Sequence, residues 1–159
     1  YPSLMYYSKY EQKPGAYDSN ENKKEKSDMA LLGKTIELYL MDGAASGRWE
    51  ATLSNWNYNV YKIPRVELKK CDSLIALRSP GVYFLFGRDN ESSRLFVYVG
   101  EGDDVLKRIL QPHTFEKDGS YWTEVVILVT PSGFLDKAKI KYLENRFHHI
   151  VTKSNRYAI

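Results

Sequence analysis

Cysteine is almost missing from this chain. Cys71 is the only one, which excludes an internal disulfide and a cysteine-based zinc site and is compatible with a reducing, cytoplasmic setting. Long apolar runs are missing too. The longest, Val125 to Val129, is strand-sized and far short of the ~20 residues a helical membrane span needs, so no membrane is expected. The amino end lacks the charged-then-apolar pattern of a secretory signal, and it opens on Tyr1 rather than Met, which reads as a fragment of a longer protein. A marked surplus of one charge is also lacking: the net charge is +3 over 159 residues. Residues 1–30 carry five lysines against five acids, 31–80 seven basic against five acidic side chains, and 81–159 eleven against ten. Nucleic-acid binders usually carry more, so a basic surface here has to come from clustering. Gly100-Glu101-Gly102 lacks the third glycine and the lysine-serine ending of a phosphate loop. No serine-centred elbow, zincin motif or internal repeat appears.

What is present divides in three. Residues 1–32 are polar, and Ser19 to Asp28 is almost wholly Asn, Glu, Lys and Ser, a composition that cannot form a core and predicts a mobile arm. The alternative is that Tyr1, Tyr6, Tyr7, Tyr10 and Tyr17 stack on bases or on a neighbouring subunit. Residues 33–80 read as an accessory unit: a strand over Lys34 to Met41, a turn at Asp42-Gly43, a return strand over Gly47 to Ser54, and a short helix over Val66 to Leu77. Trp49, Trp56, Tyr58 and Tyr61 read as packing residues or as an aromatic surface for DNA or a partner.

Residues 81–159 read as strand, strand, helix, strand, helix. Gly81 to Gly87 and Leu95 to Gly100 are rich in β-branched and aromatic residues and joined by a hairpin loop over Arg88 to Arg94. Asp103 or Asp104 can cap a helix with Val105, Leu106, Ile109 and Leu110 on one side, and Pro112 interrupts it. Thr123 to Thr130 is a strongly apolar central strand, and Leu135 to Val151 is the last helix, with Asp136 in its first turn suiting the dipole.

Ile140, Leu143, Phe147, Ile150 and Val151 form one arc of that last helix, and Glu144 falls at its edge, ~20° from Val151 and ~40° from Ile140. A carboxylate there needs a partner, either a nearby Lys or Arg or a divalent cation, because hard oxygen ligands suit Mg²⁺ or Mn²⁺. Taken singly, Tyr83 and Tyr98 are ordinary strand tyrosines. Each lies two residues from a glycine at a strand end, and antiparallel pairing could bring the phenols together. A phenol is a poor base at neutral pH, but a nearby metal or guanidinium would favour the phenolate. Arg108 is either a solvated arginine or a planar fork gripping phosphate, with Lys107 adding to the field. His113, after Pro112, is a loop histidine or a proton shuttle. His148 and His149 are adjacent and do not face each other, which disfavours a two-His metal site. Lys137, Lys139, Lys141, Arg146, Lys153 and Arg156 are solvated helix charges or a DNA-facing strip.

Gly81-Val82-Tyr83, Tyr98-Val99-Gly100, Arg108 and Glu144, in that order, resemble the GIY-YIG nuclease family over about residues 81–157. The resemblance implies an α+β fold: a small three-stranded antiparallel sheet flanked by helices, here preceded by the accessory unit. It also implies a metal-dependent endonuclease that hydrolyses DNA phosphodiester bonds with one divalent ion, Mg²⁺ or Mn²⁺. Tyr98 or Tyr83 would activate water, Arg108 would stabilise the transition state and Glu144 would bind the metal. His113 stands one residue beyond the place where the family often has a His or Tyr. Glu101 stands where many excision-repair members have lysine. Asn155 is available for the family's late asparagine, and Lys107, Arg108 and Asn155 are the candidate DNA contacts. A catalytically inactive nucleic-acid-binding module of the same fold is the alternative.

Overall fold

The computed structural model describes residues 33–89, 93–113, 116, 121–130 and 136–158. Expectations for residues 1–32 lie outside the described residues. Six strands form one antiparallel sheet: β1 (Ile36–Leu40), β2 (Trp49–Leu53), β3 (Asn59–Pro64), β4 (Gly81–Arg88), β5 (Leu95–Gly102) and β6 (Tyr121–Val129), in the order β1-β2-β3-β6-β4-β5. The α+β class holds, whereas the expected three-stranded sheet is corrected to six strands. The cause is β3, a strand absent from the sequence reading. It is only six residues long with a lysine in its middle, so its periodicity is weak. Once β3 pairs with β6, the β1–β2 hairpin extends the same sheet that β4, β5 and β6 form.

Strand β6 lies between β3 and β4, with Val125, Ile127 and Val129 fully buried. Its unbroken apolar run suits a strand covered on both faces. On one face, α2 (Lys137–Ser154) covers β4 and β5 through Ile140, Leu143, Phe147 and Val151, which pack against Val82, Phe84 and Val99. On the other face, Tyr83 and Leu85 meet Leu68, Leu77 and the buried side of α1 (Val105–Leu110). Gly81 lets β4 and β6 approach closely, since a Cβ there would strike the Leu128 carbonyl oxygen. Among the described residues, no helix is long and apolar enough to cross a membrane.

The helix expected over Val66 to Leu77 is instead a pair of 3-10 segments, Arg65–Cys71 and Ile75–Arg78. Their covered positions, Leu68, Cys71, Leu74 and Leu77, recur every third residue, the period at which 3-10 side chains eclipse. Asp104, rather than Asp103, caps α1 by accepting from the Lys107 N–H at 2.8 Å. Leu110 lies outside the buried side of α1 and is exposed. Asp136 is the N-cap of α2 rather than part of its first turn, accepting from the Lys139 N–H at 2.8 Å, and Leu135 lies outside the described residues. Of the four accessory-unit aromatics, Tyr61 is buried and donates to Glu50 at 2.8 Å, Trp49 and Tyr58 are half-buried, and Trp56 is exposed beside Tyr58.

The arc of α2 is narrower than the sequence suggested: Ile140 alone is fully buried, and Ile150 is 48% exposed. Ile140→Ala is therefore expected to lower unfolding free energy by about 2–4 kcal/mol through the cavity it leaves. Ile150→Ala should cost less than about 0.5 kcal/mol. Urea denaturation of the two variants beside wild type checks the pair, and equal losses would contradict the packing of α2.

Candidate active site around Tyr83, Tyr98 and Arg108

In the β4–β5 ladder Tyr83 stands opposite Gly100 and Leu85 opposite Tyr98, so the two tyrosines are diagonal neighbours on one face. Their ring centroids are 6.2 Å apart. Gly100 makes this possible: a Cβ there would lie 2.5 Å from the Tyr83 phenol oxygen. The second glycine of the motif is thus the floor on which the first tyrosine lies. Tyr83 is fully enclosed, and its hydroxyl has no hydrogen-bond partner among the described residues. Tyr98, half-buried, is close enough to act on that hydroxyl.

Burial, then the neighbouring Tyr98, pushes the Tyr83 phenol well above its ordinary value of 10.0. Arg108 acts in the opposite sense and is outweighed. A guanidinium thus favours the phenolate, as expected, but at Tyr83 burial outweighs it and favours the neutral phenol. His113 completes the cluster, its ring 5.3 Å from that of Tyr98 and 6.0 Å from that of Tyr83. Burial first, and Arg108 next, hold its imidazole below the ordinary 6.5, against an opposing pull from Glu116. Glu116 accepts from the His113 N–H at 3.0 Å and pairs with Arg65 at 2.7 Å. Arg65 in turn lies over the Trp122 ring at 4.6 Å. The sequence reading missed this support, because its members are up to 57 residues apart.

Arg108 sits on α1 with its stem against the end of β5, where a Cβ on Gly102 would come within 2.9 Å of the Arg108 Cβ. With Glu101, Lys107, Gln111 and Lys137 it lines an open cleft of ≈ 430 Å³. That cleft does not take in Tyr83, Tyr98, His113 or Glu144. Glu144 lies on α2, on the opposite face from the tyrosines, yet β5 is an edge strand and the two faces meet at its free side. There the Lys141 ammonium is 2.5 Å from Glu144 and 3.9 Å from Glu101, and also feels Tyr98. The pairing of Glu144 with a nearby lysine, one of the two remedies open in the sequence, is present, and the i, i+3 spacing of Lys141 and Glu144 was the signal for it.

Asn155 is not brought to this group. It takes the left-handed C-cap conformation of α2 at φ 52°, about 16 Å along the helix from Glu144, and Asn suits that position. His148 and His149 are exposed. Among the described residues, no three His, Cys, Asp or Glu side chains gather as a metal cage. Two carboxylates converging on one cation are nevertheless the hard-oxygen donors that a divalent ion accepts, so Glu144, with Glu101 beside it, fits such an ion. Compared with known proteins, the chain matches no family model, no curated protein and no solved structure.

The buried imidazole of His113 has a measurable consequence. The folded protein holds it neutral, while the unfolded chain takes up a proton near 6.5, so the unfolded state binds more protons just below that pH. Stability from this group is present above pH 6.5 and falls as pH drops into the window beneath it. Melting temperatures should decline from about pH 7.5 to about pH 5, and His113→Gln should flatten that slope whatever its effect on absolute stability. An unchanged slope in the variant would contradict the assignment.

Proposed function

We propose that this chain is a metal-dependent endonuclease of GIY-YIG type that hydrolyses DNA phosphodiester bonds in a cytoplasmic setting. The observation carrying this reading is the Gly100 floor, which seats the Tyr83 phenol beside Tyr98 while Arg108 acts on both Tyr83 and His113. The order β4, β5, α1, β6, α2 and the neighbour order β6-β4-β5 within the larger sheet also suit it.

Each side chain has a role that its surroundings favour. Arg108 presents its planar donors to a phosphate in the open cleft, and Lys107 adds positive charge beside it. Tyr98, the less enclosed phenol, orients the attacking water, and the enclosed Tyr83 ring packs on Gly100 beside it. His113, uncharged at neutral pH, can receive a proton. Glu144, with Glu101, would hold Mg²⁺ or Mn²⁺, whose charge, when bound, offsets that of the phosphate. The helix α2 holds five Lys or Arg residues and a single carboxylate, Glu144. Arg146, His149 and Lys153 form a basic groove on its exposed side that suits a phosphate backbone.

One observation favours the non-catalytic nucleic-acid-binding module: Lys141 already neutralises Glu144. The two readings separate in one set of measurements on nicked, branched and supercoiled DNA with and without Mg²⁺. For an enzyme, Tyr98→Phe lowers the cleavage rate by about 10²- to 10⁴-fold. Arg108→Ala lowers turnover far more than affinity, because its contact strengthens as charge develops. Glu144→Gln abolishes cleavage and weakens Mn²⁺ binding by calorimetry while leaving the fold intact. For a binding module, wild type cuts nothing, and Arg108→Ala weakens affinity and reduces its salt dependence by roughly one phosphate contact.

A further inference from the structure

We infer that β1 is a self-association edge, pairing antiparallel with β1 of a second copy about a two-fold axis at Leu38. The two edges of the sheet are treated differently. On β5, Ala158 covers the start of the free side by accepting from the Val97 N–H at 3.0 Å and donating to the Leu95 carbonyl at 2.9 Å. Among the described residues nothing pairs with the outer side of β1. Proline, lysine and a bulge, three devices that blunt an edge, are absent from its sequence Ile-Glu-Leu-Tyr-Leu, and its one charge is Glu37. Ile36 is 69% and Leu38 57% exposed.

The backbone defines both the orientation and the register. The Thr35 carbonyl accepts from the Ser54 N–H and the Met41 N–H donates to the Arg48 carbonyl, so odd-numbered residues of β1 bond to β2. By the alternation of an antiparallel ladder, Ile36, Leu38 and Leu40 turn both N–H and C=O to the open edge. With Leu38 opposite Leu38 of the second copy, Ile36 falls opposite Leu40, and all six outward groups of each strand are bonded. A shift of two residues in either direction leaves one of the three outward residues unpaired, and one of those shifts sets Glu37 against Glu37. In the central register Glu37 faces Tyr39 and Lys34 comes level with Asp42, so no like charges meet.

The side chains agree. Ile36, Leu38 and Leu40 stand opposite Leu53, Ala51 and Trp49 and share their face, which there forms a mostly apolar groove of ≈ 190 Å³ lined by Ile36, Trp49, Leu53, Trp56 and Val60, with Thr52 also at its wall. The two-fold axis lies perpendicular to the sheet and joins the grooves of the two copies into one continuous apolar surface.

Sedimentation velocity of the full chain over a concentration series tests the pairing. Wild type should move from the 18.5 kDa monomer toward twice that mass as concentration rises. Leu38→Pro removes an N–H that points away from β2, and Leu38→Lys places a charge at the axis. Both should remain monomeric, with circular dichroism like that of wild type. The register is read by mild oxidation, in which Leu38→Cys should crosslink between copies faster than Glu37→Cys. Wild type that stays monomeric throughout, or a Leu38→Lys variant that still dimerises, overturns the proposal. Faster crosslinking at position 37 overturns the register.

Discussion

A strand with a neighbour on each edge and a layer on each face has no backbone group left for water, so its place must be satisfied completely or not formed at all. Strand β6 has a neighbour on each edge, bonded to β3 along one side and to β4 along the other. Its buried valines and Ile127 carry the core on which the 3-10 segments and α1 rest. Strand β6 joins the 33–80 segment to the strands bearing the tyrosines within the sheet, and Leu68 and Leu77 join them again through the core. Removing β3 would expose six residues of β6 backbone in the middle of the molecule.

The candidate site lies one strand further out, where β4 and β5 lead from the packed centre to an edge. That position accounts for its electrostatic asymmetry. Tyr83 belongs to the core and is held neutral by desolvation, whereas Tyr98 and Arg108 face the margin where water and a substrate have access. Glu144 reaches the same margin from the far side of the sheet, and Lys141 meets it there. A low-dielectric tyrosine and imidazole beside a half-buried arginine is an arrangement in which one cation influences several titratable groups.

Much of the local structure was legible. The residues of β4 and β5, the apolar run of β6 and a cap at Asp103 or Asp104 each carry a short-range signal: β-branched and aromatic content, hydrophobic continuity, or a side chain able to accept from an N–H three residues on. The 3-10 segments were misread as one α-helix because four apolar residues at a spacing of three resemble a loose α-helical stripe over so short a length. Strand β3 escaped notice because six residues with a central lysine look like a loop until a partner on each side supplies the hydrogen bonds.

The order of Tyr83, Tyr98, Arg108 and Glu144, and the glycines at 81 and 100, are properties of the sequence alone. They determine that a tyrosine can lie flat against the next strand, because only a residue without a Cβ leaves the space. Tertiary structure decided the rest. The number of strands depends on pairings across some 65 residues, which no local window contains. The neutral state of Tyr83 and His113 depends on how deeply each is buried relative to its distance from Arg108. The partner of Glu144 was within reach of a spacing argument, but whether that carboxylate meets Lys141 at a sheet edge or lies enclosed in the core is set by how α2 docks on β4 and β5, and desolvation exists only once the layers have closed.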